Sequence, residues 1–113
     1  MAAPALTGPL PLNAESVKLA IPRKSPGSYV LGTMTDGELE ARHVGRSDTD
    51  VADRLTAHVG QYPSFCFAYA TSALAAFEQE CELYHAYMSS SGAAHPARAP
   101  NSGWRCPRCA VFD

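Results

Sequence analysis

The hydrophobic pattern divides the chain into short extended runs and two helical stretches. Ser28-Tyr29-Val30-Leu31-Gly32 is a short, β-rich run, introduced by the Ser25-Pro26-Gly27 punctuation. Asp36-Gly37 is a hairpin turn signal, and a second strand follows over about 38–44, ending in Val44-Gly45. The two runs are close enough to pair antiparallel. Val51, Leu55 and His58-Val59 then recur at helical spacing. Asp48 or Thr49 is placed to cap that helix, Asp50 and Asp53 fall in its first turn, and Gly60 ends it. Ser64 to Ala70 is rich in aromatic residues and reads as a third strand. Thr71 or Ser72 caps a longer helix over 73–88, rich in Ala, Leu and Glu.

Outside this core the pattern weakens. Residues 1–25 form a Pro-, Ala- and Leu-rich arm, whose Leu10, Leu12, Val17, Leu19 and Ile21 are expected to pack on the body. Residues 26–88 form the domain. Residues 89–113 are a Ser/Gly/Pro/Ala loop closed by Cys106-Pro107-Arg108-Cys109. The order hairpin, helix, strand, helix predicts an α/β domain of the α+β type.

The 113 residues allow one small domain, and 46% hydrophobic content supports a packed core. No apolar run approaches the ~20 residues of a membrane helix. The proline-broken N-terminus lacks a basic start and makes a poor signal peptide, so a cytoplasmic location without membrane association is expected. Charge is unevenly spread. The arm carries Lys18, Arg23 and Lys24 against Glu15, and the tail carries three arginines against Asp113. Between them, Arg42, Arg46 and Arg54 face nine carboxylates. That acidic middle counts against tight, unassisted binding of nucleic acid.

Chemistry-bearing residues fall at element ends. Gly27-Ser28-Tyr29 lies on the first strand, and His43-Val44-Gly45 lies on the second. Arg54 and His58 follow one turn apart on the first helix, and Glu80 lies within the second. This order resembles the GIY-YIG nuclease family over about residues 26–88. The first motif stands as GSY, the second as HVG, and Arg54-x-x-x-His58 and SALAAFEQE supply the helix signatures. The resemblance implies a small three-stranded antiparallel sheet flanked by helices, and metal-dependent phosphodiester hydrolysis on nucleic acid. It further implies that Tyr29 helps to activate water, that Arg54 holds the scissile phosphate, and that Glu80 binds a catalytic Mg²⁺ or Mn²⁺. His58 would be an acid–base or phosphate contact. His43 stands where the family has a tyrosine; an imidazole can donate a hydrogen bond and shuttle protons.

Structural readings of the same residues stay open. Arg46 can pair in solvent with Asp48 or Asp50, Arg54 can bridge to Asp50, and His58 can answer the helix dipole. A module of this fold that only binds a nucleic-acid or protein partner is the alternative to catalysis.

The cysteines form a second constellation. Cys106-x-x-Cys109 is half of a zinc site. Cys81 and His85, at i and i+4 on the second helix, project from one face and would complete a Cys₃His site that staples the tail across the helix. His95 competes as the fourth ligand. Otherwise Cys81 is a buried helix cysteine and the CPRC pair is free or redox-active. Cys66, between two phenylalanines, reads as core.

Overall fold

The computed structural model describes residues 5–112. It is an α+β fold built on one antiparallel sheet. In chain order the elements are β1 (Thr7–Pro11), α1 (Ala14–Ala20), β2 (Gly27–Thr35), β3 (Glu38–Ser47), α2 (Val51–Ala57), β4 (Ser64–Tyr69) and α3 (Ala73–Leu83). A wider π-helical turn, Tyr84–Met88, prolongs α3. The strand order is β1-β4-β2-β3.

The sheet has four strands where the GIY-YIG resemblance implies three. The extra strand comes from the arm, which pairs Leu10 with Phe65 and Pro11 with Ser64 along β4. Prolines disguise this strand in the sequence. They are tolerated because β1 lies at the edge, where a missing N–H costs no ladder bond. By covering β4, the arm also removes an otherwise unpaired edge.

The hairpin follows its turn chemistry. Asp36 and Gly37 both take positive φ, 53° and 82°, which suits a two-residue turn of the hairpin type. It fixes the register that sets Tyr29 opposite Gly45 and Leu31 opposite His43. Tyr29 and Leu31 therefore share one sheet face, where they pack with Val51, Leu55, Phe65 and Phe67. Leu12, Val17 and Ile21 of the arm close this core. Leu19, expected to pack with them, is 76% exposed, because α1 turns it outward. The opposite face receives α3, where Ser28 donates a hydrogen bond to Gln79 Oε1 at 2.7 Å.

Both main helices are capped by side chains. Asp50 caps α2, accepting from Asp53 N, in place of the expected Asp48 or Thr49. Asp48 is drawn away by Arg46, and Ser47 Oγ accepts from Asp50 N at 2.8 Å to hold the turn. Ser72 caps α3 through Ala75 N.

Gly45 has no room for a side chain. A Cβ there would lie 2.5 Å from the ring and the hydroxyl of Tyr29, which crosses over the outer strand β3. Gly45→Ala should therefore push the Tyr29 ring out of place and cost about 1–3 kcal/mol, as overpacking does. Denaturant unfolding beside the wild type measures this, and an unchanged midpoint would contradict it.

Candidate functional site

Because β3 is the outer strand, groups from both sheet faces reach round it into one open cleft of about 820 Å³. Tyr29 of β2, His43 of β3, Arg54 of α2, His58 at the α2 C-cap and Glu80 of α3 all line it.

Three of these form a ring cluster. The Tyr29 hydroxyl lies 3.1 Å from His58 Nε2. The His43 and His58 rings are 5.1 Å apart, and His43 stacks on Tyr62. Burial pushes the Tyr29 phenol up to about 12, with Arg54 partly opposing. Burial, and then the neighbouring His58, pull His43 below the ordinary histidine range. His58 is oriented from behind, where its Nδ1 lies 2.9 Å from Gln61 Oε1.

The two arginines differ. Arg54 is solvent-exposed on the cleft wall and makes no ion pair among the described residues, so the bridge to Asp50 does not form. Arg46, read from sequence as solvent-facing, is largely enclosed, its side chain 14% exposed. Its Nε donates to Asp48 at 2.8 Å, and its Nη1 to Glu80 Oε1 at 2.6 Å and to the Ala97 carbonyl at 2.8 Å. Burial raises the Glu80 carboxyl, and the Arg46 hydrogen bond partly draws it back. Glu80 is thus buried, and one of its oxygens is committed to Arg46.

The second site lies where the tail meets the π-helical turn. Ligand atoms of His85, His95, Cys106 and Cys109 all lie within 4.8 Å of one another, and this group could hold a metal such as zinc. Cys106 Sγ is 3.4 Å from His85 Nε2, and Cys109 Sγ is 3.5 Å from His95 Nε2. Tetrahedral ligands at zinc bond lengths lie about 3.5 Å apart, so the donor set and these two spacings match that ion. The Arg108 N–H donates to Cys106 Sγ, and the Arg108 side chain reaches Glu82, which together shape the knuckle.

Cys81 is corrected by this geometry. It is fully buried against Phe77 and Cys106 and stands outside the group, and His95 takes its place, giving His₂Cys₂ for Cys₃His. Burial, then the charge and hydrogen bond of Cys106, push the Cys81 thiol well up, so it keeps its proton and supports the Cys106 sulfur.

Comparison with family models, curated proteins and solved structures gives no significant match. The site is therefore argued from its own geometry. No helix among the described residues is long and apolar enough to cross a membrane.

Sequence reading missed the roles of Arg46 and Gln61. A cation following Val44-Gly45 was a visible signal for the first. For Gln61 no spacing rule applied, since its role depends on how the chain leaves α2.

Metal analysis of the purified protein should give about one zinc per chain. His95→Ala and Cys109→Ser should lose it, whereas Cys81→Ala should retain it; loss in Cys81→Ala would restore the Cys₃His assignment. Stripping the metal should lower thermal stability, because a structural site contributes folding free energy. A separate effect comes from His43. Its folded pKa is depressed, so the unfolded chain takes up this proton first. The corresponding stability is present above the usual histidine value of about 6.5 and is lost as pH falls through the lower folded value. His43→Asn should flatten that part of the stability profile between about pH 5 and 7, measured at saturating zinc.

Proposed function

We propose that the cleft hydrolyses phosphodiester bonds of nucleic acid, with the tail metal centre serving as a structural staple. One observation carries this reading. Tyr29, His43, Arg54, His58 and Glu80, drawn from separate elements, line a single open cleft. Their order along the chain is that of the GIY-YIG resemblance, and the pairing of Tyr29 with Gly45 gives both of its short motifs a physical purpose.

The chemistry follows from the groups present. A phenol held up at about 12 does not ionise unaided near neutrality, so Tyr29 needs an acceptor for its proton. His58 Nε2 is that acceptor, and the oxygen so freed takes a proton from the attacking water as the water oxygen bonds to phosphorus. The P–O bond to the leaving oxygen breaks, and that oxygen takes a proton from solvent. Arg54, exposed on the wall, offers two parallel N–H bonds to the non-bridging oxygens of the phosphate. Glu80, the carboxylate that would hold a Mg²⁺ or Mn²⁺ ion, keeps its second oxygen for it, and such an ion supplies charge neutralisation at the phosphate. Arg46 holds Glu80 in place meanwhile. The basic arm and tail supply cations that the acidic middle lacks.

A second reading has its own support. The 2.6 Å ion pair spends part of the Glu80 carboxylate on Arg46, which favours a non-catalytic module that binds a nucleic-acid or protein partner through the same cleft.

Incubation with single-stranded, duplex and branched DNA and RNA in Mg²⁺ or Mn²⁺ separates the two. Hydrolysis should be abolished by Glu80→Gln and reduced about 10- to 100-fold by Arg54→Lys, which keeps the charge but loses the fork. His43→Tyr should maintain or raise the rate. No metal-dependent cleavage of any substrate by the wild type would leave the binding module.

A further inference from the structure

Gln61 grips His58 twice. Its backbone N–H donates to the His58 carbonyl at 2.9 Å, and its side-chain Oε1 lies 2.9 Å from His58 Nδ1. Gly60 makes this possible by taking φ of +90°, a conformation that turns the chain back over the end of α2 and that side chains disfavour. A carbonyl oxygen can only accept a hydrogen bond. With the Gln61 amide placed this way, Nδ1 carries the proton; a reversed amide would make Nδ1 the acceptor. In a neutral imidazole the lone pair then lies on Nε2, and Nε2 faces the Tyr29 hydroxyl at 3.1 Å. The opposite tautomer would require the Gln61 amide to reverse, and its Nε2–H would donate to the Tyr29 oxygen.

We propose that Gln61 is a positioning residue that fixes His58 as the Nδ1–H tautomer, so that Nε2 accepts the Tyr29 phenol proton. One bond breaks, Tyr29 O–H, and one forms, Nε2–H; the ring becomes imidazolium and its Nδ1–H stays on Gln61. The charge that appears on the ring strengthens the bond to Oε1, so Gln61 acts most when the proton has moved. The catalytic part of the inference rests on the phosphodiesterase reading, but the tautomer assignment does not.

The test is the ring-nitrogen spectrum of His58 in the full chain, ¹⁵N-labelled at histidine and recorded at about pH 8, where the free side chain is neutral. The expected wild-type result is a protonated Nδ1 and an unprotonated Nε2. Gln61→Glu should keep that tautomer, and Gln61→Leu should shift the population toward Nε2–H. On a substrate the wild type cleaves, Gln61→Leu should lower kcat about 10-fold or more with KM little changed, and Gln61→Glu should recover most of it. A wild-type His58 protonated at Nε2 would overturn the proposal, as would an unchanged tautomer in Gln61→Leu. Should Gln61→Leu fail to fold, the wild-type and Gln61→Glu spectra still decide the assignment. A wild type that cleaves nothing while His58 holds the Nδ1–H form overturns the hydrolytic reading and leaves the tautomer assignment standing.

Discussion

The guanidinium of Arg46 is the point at which three parts of the chain are tied together. It leaves β3, reaches Glu80 on α3 and Asp48 before α2, and takes the Ala97 carbonyl of the tail. Its plane lies over Phe77, 5.2 Å from the ring centroid, with Trp104 beyond at 5.9 Å. A largely enclosed ion pair of this kind adds little net stability over apolar packing. Removing one partner is costly, about 3–5 kcal/mol, since the other charge is left buried and unpaired. The constraint is therefore one of arrangement: once Arg46 is in place, Glu80 has a fixed carboxylate and the tail has a fixed path.

That path explains the metal group. From Ala97 the chain runs to Trp104 and Cys106, which join Phe77 and Cys81 in a second, smaller apolar cluster away from the main core. So few apolar side chains cannot hold a polar loop by burial alone. A metal held by His85, His95, Cys106 and Cys109 would close the loop instead, with a ligand from either side of Ala97 to anchor it. Glu82 shows the cost of the arrangement. It is fully buried, one oxygen meets Arg108, and Oε1 has no hydrogen-bond partner among the described residues.

Local chemistry made the hairpin and helices readable: Asp36-Gly37 dictates its turn, and Ser72 has its first-turn acceptor role written in its side chain. The misreadings share a cause, namely that a distant segment decided the outcome. The β1 strand carries two prolines and becomes a strand only because β4 offers an edge. Cys81 and His85 do share one helix face by spacing, but that face is shared between two tasks. Cys81 sinks into the core beside Phe77, while the π-helical turn that begins at Tyr84 carries His85 out to the tail. His95 approaches from a loop with no periodicity to reveal it. Arg46 follows the same rule, since its partners lie 34 and 51 positions away.

The ring cluster limits the charge that position 43 can carry. Two imidazoles 5.1 Å apart, in a partly enclosed site, resist carrying charge together. Burial, and then His58, already hold His43 toward its neutral form, and its ring lies flat against Tyr62. On the hydrolytic reading, a proton passed from Tyr29 to His58 would meet a neutral neighbour rather than a second cation. On the hydrolytic reading this makes His43 compatible with a tyrosine's place: the position calls for an uncharged ring that fills the wall and can still offer a hydrogen bond. A permanently charged side chain there would raise the energy of the very state in which His58 holds the proton, and would do so through the shortest ring-to-ring path in the cleft.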